Sequence, residues 1–309
     1  MKQPTATRSL QQGQTLALFA IVITALIGLT GLVIDGSSTF VQRRDQQNAA
    51  DLAAMAGGYG YLNSTGAEAA ARTVATARGF TDGVDGTTVT VSVAGEMGGT
   101  TVTVSITKPH RNFFSGIFGM SLWDVGTTAK SLSGPPNEVG GSMPIIFNQA
   151  VCSDGVCPAD SRSYDEPPSG PQSIPLDTFQ FNWTVFCLAN GNPCNANTNL
   201  VDGLINGSSP TSPTLITLDM IIEPLNAGSH TSLFSDLANF VGQSFTVAIV
   251  NDAGQLQGFA MFRLLGSVGG STKQITGYFE TGITRQNLLI GPGSGTPHFY
   301  GLYSIRLVN

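Results

Sequence analysis

The first strong pattern along the chain is an apolar run, without any charge, close to the N-terminus. It covers residues 15–34, TLALFAIVITALIGLTGLVI, and Asp35 ends it. About 20 helical residues cross a hydrocarbon core of about 30 Å, so this run predicts one transmembrane helix. The helical pattern continues past Asp35 without a small-residue cleavage signal, which favours a retained anchor over a cleaved signal peptide.

A stem helix is predicted directly after the membrane segment. Leu52 and Met55 begin an apolar stripe with three- and four-residue steps, in a stretch dominated by alanine. Within the membrane run, Ala25, Gly28 and Gly31 are small residues of the kind that allow helix backbones to approach closely in lipid. We therefore expect the N-terminal helix to pack against other helices through these five positions.

Alternating valine and threonine then predict a β-hairpin. Residues 87–93 and 100–106 alternate strictly on either side of a glycine-rich connection. One face is valine, and a helix predicted over residues 65–78 is expected to cover it together with the stem.

Residues 112–119 hold three phenylalanines and one isoleucine. We expect them to cap the open end of this core, with a membrane or partner contact as the alternative. A further strand is predicted over residues 120–133.

The second half of the chain has a different character and predicts a β-rich domain. Segments that predict strands lie at residues 179–186, 245–251, 259–265, 274–281 and 299–308, with a short helix at 232–240. The predicted fold class is therefore α+β. The predicted organisation is a cytoplasmic N-terminus (1–14), a transmembrane helix (15–34), a stem and pilin-like α+β domain (35–133), a linker (134–145) and a β-rich extracytoplasmic domain (146–309).

Composition narrows the classes of partner. Only 11% of the residues are charged and the formal net charge is −6, with no block of basic residues. A phosphate-binding face is therefore not expected, which argues against nucleic acid as a partner.

The cysteines predict the redox compartment. Cys152, Cys157, Cys187 and Cys194 are an even, clustered set, which favours disulfides in an oxidising environment. Local pairs, the first with the second and the third with the fourth, are favoured because turn residues separate them. Cross-pairing and a zinc site remain alternatives, although the spacings lack the tight pairs typical of zinc. The Lys and Arg count is equal on both sides of the membrane run, so the cysteines alone favour an outside C-terminal part.

A search for catalytic chemistry finds little in the sequence. His110, His230 and His298 are isolated from other metal-ligating residues, and there is no Gly-x-Ser-x-Gly elbow. We therefore predict no enzymatic activity, no cofactor and no metal.

Three segments of the N-terminal region carry a family resemblance. They are GQTLALFA at 13–20, GLVIDG at 31–36 and RRDQQNAADLAAMAG at 43–57. Together they resemble the N-terminus of Tad (tight adherence) pilus-assembly proteins of the TadE/TadG-like class, closely over about 12–60. The resemblance implies a pilin-like architecture at the inner membrane or in the pilus, beside a secretion ATPase and other Tad components.

The same resemblance raises the question of processing. Gly13 and Gln14 would flank a prepilin cleavage site, but Leu18 stands where cleaved pilins of this family carry a glutamate. The chain therefore resembles the anchored TadG-type members more than a major pilin, and cleavage after Gly13 is left open.

These observations give three hypotheses of function. The first is a membrane-anchored Tad assembly protein or minor pilin-like subunit with a structural role in adhesion. The second is an adhesin or ligand-binding module in which the C-terminal domain takes a surface ligand. The third and least favoured is a membrane-tethered envelope enzyme. The expected location is the bacterial cytoplasmic membrane with the N-terminus inside, and the expected partners are the membrane and other pilus components.

Overall fold

The computed structural model describes most of the chain, and the fold follows from those residues. They are 11–62, 65–96, 99–153, 155–167, 177–188, 201, 202, 205, 216–218, 222–224, 230–284 and 299–308. Within them, a long helix packs against a first sheet, and a second, larger sheet is formed mainly by later residues. This architecture confirms the predicted α+β class.

The long helix α1 (Gln11–Leu62) runs without a break for 52 residues, about 78 Å at helical rise. Its most apolar 18-residue window has a mean hydropathy of 2.6, and only 6% of that window is buried. A core helix of a soluble protein with such a composition would be covered on most sides. The length, composition and exposure of α1 therefore fit a membrane anchor.

The first sheet forms as the alternating pattern predicts. Strands β1 (Thr88–Glu96) and β2 (Gly99–Arg111) pair antiparallel, with Val91 opposite Val104. Their valine face is buried against α1 and a second helix, α2 (Ala67–Ala77), except at its outer end, where Val93 is exposed. Both helices meet the sheet with alanine, which allows their backbones to lie close to the strands.

The first sheet is completed from the far end of the chain. Strand β3 (Leu122–Gly134) pairs with β2 along its length. The neighbour of β3 in this sheet is a strand formed by residues 302–308, which pairs with β3 antiparallel. Residues 282–283 form the next strand, at the edge of the sheet. The division of the chain at residues 134–145 stays a prediction. The C-terminal strand nevertheless joins the sheet of the N-terminal half.

The remaining elements follow from the second half. They are β4 (Glu138–Val139), β5 (Ile145–Asn148), β6 (Arg162–Asp165), β7 (Phe181–Leu188), β8 (Ile216–Thr217), β9 (Ile222–Pro224), α3 (Thr231–Leu237), β10 (Ser244–Val250), β11 (Leu256–Val268), β12 (Gln274–Glu280), β13 (Gly282–Ile283) and β14 (Leu302–Val308). Short 3-10 turns occupy Ser115–Phe118, Gln149–Val151 and Ala238–Phe240.

The second sheet has the order β6-β12-β11-β10-β5-β7-β9, with β5 and β10 parallel. Its core is aromatic, and several rings meet edge to face, among them those of Phe147, Tyr164, Phe181 and Trp183. Rings packed in this way fill a core while keeping favourable quadrupole contacts. The helix predicted over residues 232–240 is confirmed as α3 and the turn after it, with Leu233, Phe234 and Leu237 buried and Phe240 partly buried.

Candidate functional site at the membrane end of the stem

The membrane end of the stem is organised around the buried carboxylate of Asp35. Its oxygens accept hydrogen bonds from the backbone N–H groups of Phe113, Phe114 and Ser115, with N–O distances of 2.9, 3.0 and 2.6 Å. These three residues open the loop between β2 and β3, residues 112–121, which we name the base loop. The hydrogen bonds tie the base loop to α1 at the residue where the apolar run ends.

The three amides keep Asp35 ionised. Burial alone would raise the pKa of this carboxyl group, but the N–H groups of Ser115, Phe113 and Phe114, with a further hydrogen bond from the Ser115 side chain, favour the charged form. The net result is a pKa below the ordinary value of 3.8. A buried carboxylate requires compensation, and here backbone dipoles contribute it.

One turn further toward the membrane, Gly31 makes room for an aromatic ring of the base loop. A Cβ at this position would lie 2.6 Å from both Cβ and Cγ of Phe114, closer than real side-chain carbons approach. Gly28 has no such neighbour within 4 Å. Glycine at position 31 is therefore needed within the chain itself, whereas position 28 leaves space beside the helix.

That space is an apolar groove between α1 and the base loop, with a volume of about 470 Å³. Ala25, Gly28 and Leu32 line it from the helix, and Phe114 and Met120 line it from the loop. The small residues predicted as packing positions thus share one face of α1. Ala25 and Gly28 remain open to the groove, and Gly31 is covered by the chain's own loop.

Above Asp35, polar side chains of the same helix face bind the end of β2. Ser38 Oγ lies 3.0 Å from His110 Nε2, and Gln42 Oε1 lies 2.6 Å from His110 Nδ1. Gln42 Nε2 also donates to the carbonyl of Lys108 at 3.1 Å. His110, which the sequence shows only as isolated from metal-ligating residues, therefore fastens the strand to the stem.

Gln46 makes the deepest of these contacts. Its fully buried Nε2 donates to the carbonyl oxygens of Ile106 and Val125, each at 2.7 Å. One residue of the stem thereby bridges β2 and β3. Higher up, Ser131 Oγ donates to the carbonyl of Ala54 at 2.6 Å, so the sheet also reaches back to the helix.

Sequence reasoning missed this polar face as a unit. Asp35, Ser38, Gln42 and Gln46 follow steps of three, four and four residues, which is the spacing of one helix face. The signal was available in that spacing. It was passed over because apolar residues were taken as the marker of the packed side.

The apolar stripe that the sequence marked lies on the outward face of the stem. Leu52 and Met55 are each 39% exposed and Tyr59 is 54% exposed. The inward positions of the same turns are alanine and glycine, among them the fully buried Ala53 and Ala54. The stem thus presents its larger side chains away from its own sheet.

The base loop corrects one expectation. We expected residues 112–119 to cap the hairpin core, but Phe113 is 73% and Ile117 is 78% exposed. Phe114 packs on Gly31 of α1. The cause is Asp35, whose hydrogen bonds draw the loop to the helix and leave the outer side chains uncovered.

The predicted processing and cysteine positions lie away from this site. Gly13 and Gln14 fall inside α1, and nothing in the structure tests cleavage after Gly13, which the sequence leaves open. Cys152 and Cys157 form a disulfide, so these two sulfurs are not zinc ligands. Cys187 lies on β7, but its side chain and the whole of Cys194 fall outside the described residues.

The other described histidine is not isolated either. His230 is buried and its Nδ1 is hydrogen-bonded to Glu166, whose second oxygen lies 3.6 Å from Lys273 Nζ. His298 falls outside the described residues. In the described part of the chain, no group of three or more His, Cys, Asp or Glu side chains is placed to hold a metal ion.

Comparison with known proteins bears on the N-terminal helix. Residues 13–61 match the model of the Tad family, described as Flp pilus-assembly TadE/G-like. This match confirms the resemblance of the N-terminal region and supports a role related to pilus assembly. A comparison with curated proteins and with solved structures finds no match.

Proposed function

We propose that this chain is a membrane-anchored Tad/Flp-type pilus-assembly protein or minor pilin-like subunit. Its role is structural rather than enzymatic, and its partners are other pilus components that pack against α1. The observation that carries this proposal is that the family-matching segment, residues 13–61, is one continuous helix with two different faces. One face is held by the chain's own sheet, and the other remains open.

The open face has the chemistry of a helix-packing surface. Leu52, Met55 and Tyr59 expose apolar side chains at successive turns of the stem. In the membrane segment, on the side that carries Asp35, Ala25 and Gly28 leave a second surface, the groove beside the base loop. In water the stem stripe favours association by apolar burial, and in lipid the small residues favour close helix contact.

The Cys152–Cys157 disulfide supports an outside location for the C-terminal part. Disulfides persist in oxidising compartments and are rare in the cytosol. With α1 as the membrane span, an outside C-terminal part puts the N-terminus in the cytoplasm. The stem stripe then faces the compartment in which a pilus is assembled.

Co-purification from cells tests this proposal. A tagged full-length chain is recovered after cross-linking, and its Tad partners are identified by mass spectrometry. Replacing Leu52 and Met55 with Ser, or Gly28 with Leu, should lower partner recovery by about tenfold, the change that about 1.4 kcal/mol of binding energy gives. Gly28→Leu is chosen because position 28 has no atom of the chain within 4 Å of an added Cβ.

A matched control separates partner contact from general damage. Val93 is 46% exposed on β1 and lies away from α1's open face, so Val93→Ser should leave recovery unchanged. If the α1 variants recover the same pilus partners in the same amounts as the unaltered chain, the helix-packing role is contradicted. Loss of partners in the Val93 variant as well would contradict the assignment to α1.

A second candidate function, ligand binding by the C-terminal domain, is supported by one cavity. An open cavity of about 580 Å³ lies beside the disulfide and is lined by Asn148, Gln149 and Asp252 among others. Its polar groups suit a hydroxyl-rich surface ligand such as a polysaccharide. Cell-wall polysaccharide should bind the full-length protein and lose affinity in an Asp252→Ala variant. Binding that is unaltered by this change would contradict this candidate.

A further inference from the structure

We propose that the base loop inserts into the lipid bilayer beside the transmembrane helix and forms a second membrane contact of this chain. The occupant of its exposed apolar surface is lipid: headgroups and the upper acyl chains at the face of the bilayer where Asp35 emerges. This inference rests on α1 being the membrane anchor. It does not depend on a role in pilus assembly.

The position of the loop along α1 is fixed by its hydrogen bonds. Asp35 holds the backbone of residues 113–115 at the first polar position after the apolar run. Phe114 reaches lower and contacts Gly31, which lies about 4.5 Å below Ile34 at helical rise. When residues 15–34 span the membrane, the loop must therefore lie at the level of the last membrane turn.

The side chains that face away from the protein at this level are apolar. Phe113 is 73% exposed and Ile117 is 78% exposed, and Met120 and Leu122 are 51% and 58% exposed. On α1 beside them, Leu29 is 61% and Leu32 is 52% exposed, and both line one groove with Phe114 and Met120. These surfaces adjoin, so lipid that covers the helix at this height also reaches the loop.

The residues that flank the loop have the types found at a membrane interface. Arg111 is exposed at the end of β2, and Trp123 is half-buried near the start of β3. Trp is enriched at the boundary between headgroups and acyl chains, and arginine favours anionic headgroups. The groove proposed for a partner helix lies lower on α1, at Ala25 and Gly28, and neither Phe113 nor Ile117 lines it, so we assign these two side chains to the bilayer.

Tryptophan fluorescence of the full-length chain in nanodiscs tests this inference. The nanodiscs contain phosphatidylethanolamine and phosphatidylglycerol, with or without a phospholipid that carries a nitroxide high on its acyl chain. In a Trp123→Phe background, Phe113→Trp and Ile117→Trp each place a reporter on the loop, and the buried Trp183 gives a constant signal. Val93→Trp is the matched control, because Val93 is opposite Val102 near Gly57, about 33 Å above Asp35.

The two loop reporters should lose roughly half of their emission to the nitroxide, because interfacial side chains lie about 5–10 Å into the headgroup and acyl boundary. The control should lose none, and acrylamide in the water should quench the control more than the loop reporters. Loop reporters that escape the nitroxide but are quenched by acrylamide would place the loop in water and overturn the inference. Reporters protected from both quenchers would overturn it in favour of a protein cover, such as a second copy of the chain.

Discussion

At the scale of single residues, Asp35 has two roles, and the sequence shows only the first of them. It ends the apolar run, and it anchors the base loop with three backbone N–H groups. A carboxylate without a cationic partner is stabilised when backbone donors surround it. The boundary of the membrane segment is therefore also a structural joint between α1 and the first sheet.

Replacing Asp35 with Asn should loosen this joint. Neutralisation removes the charge-assisted acceptor, and the amide hydrogens of residues 113–115 should exchange about tenfold faster or more, since charge-assisted hydrogen bonds are roughly twice as strong as neutral ones. Hydrogen exchange followed by mass spectrometry measures this. Exchange in the β1–β2 hairpin at Val91 and Val104 serves as the internal control, and unaltered rates at 113–115 would contradict the assignment.

The same joint should depend on pH. Because the pKa of Asp35 is lowered by folding, its contribution is complete above the ordinary value of 3.8 and is lost as the pH falls through the lower folded-state pKa. The pKa of Asp82 is also lowered, mainly by the backbone N–H of Val89, so global unfolding mixes the two groups. Local protection at residues 113–115, measured as the exchange rate relative to that of an unstructured peptide at the same pH, separates them, and the pH dependence of this protection should disappear in the Asp35→Asn variant.

The role of a residue was predictable where it depends on neighbours in sequence, and less so where it depends on which way a side chain points from the helix. The pairing of Cys152 with Cys157 follows from a turn between neighbours in sequence. The side of the stem that its own sheet covers was not predicted, because alanine and glycine carry little signal on a hydrophobicity scale beside Leu52 and Met55. The sheet lies so close to α1 that only small side chains fit between them, and the larger ones are turned outward.

At the scale of elements, α1 is shaped by the closeness of its own sheet. Gly57 and Gly60 are positions where a Cβ would lie 2.6 Å from Val102 Cγ1 and 2.7 Å from Ala70 Cβ. Glycine inside a helix costs about 1 kcal/mol relative to alanine. The helix accepts that cost because the glycines allow contact with β2 and α2.

Alanine substitutions at two glycines of α1 should have opposite effects. Gly57→Ala gains helix propensity but overpacks the contact with Val102, so it should destabilise the fold by about 1–2 kcal/mol net. Gly36→Ala meets no atom of the chain within 4 Å and should be neutral or stabilising by up to about 1 kcal/mol. Thermal unfolding in detergent micelles compares them. Equal shifts of the two midpoints would contradict the close packing at Gly57.

The elements with a strong local period were predictable from sequence. The valine and threonine alternation predicted β1 and β2, and the apolar stripe over residues 232–240 predicted α3. The partners of β14 were not predictable, because a strand separated from β3 by more than half of the chain carries no local signal of where it pairs. The parallel pairing of β5 with β10 escaped for the same reason.

At the scale of the whole molecule, β14 connects the second half of the chain to the sheet and stem of the first half. It pairs with β3 over five residues, with Ser304 opposite Gly134 and Val308 opposite Lys130. Its residue Ile305 also lies near the stem, where a Cβ on Gly58 would be 3.3 Å from Ile305 Cγ2. The first sheet is therefore complete only when the last strand has been added.

Removing residues 302–309 should expose the edge of β3. An unpaired edge opens its hydrogen bonds to water and invites pairing between chains. Amide exchange over Lys130–Gly134 should become faster by roughly tenfold or more, because the strand joins the least stable parts of the fold. Leu307→Ser, a change at a residue 42% exposed, keeps the strand and should leave this exchange as it was. Slow exchange in the truncated chain would contradict the role given to β14.

Because α1 is continuous from the membrane segment into the stem, a tilt of the membrane segment also displaces the far end of the stem. From Asp35 to Leu62 the helix measures about 40 Å, and the sheet is fastened along that arm. Transmembrane helices tilt by about 20° on average, so a change of about 10° in tilt swings the far end by about 7 Å. Membrane thickness and neighbouring helices, which set that tilt, thereby set where the upper end of the stem stands above the bilayer.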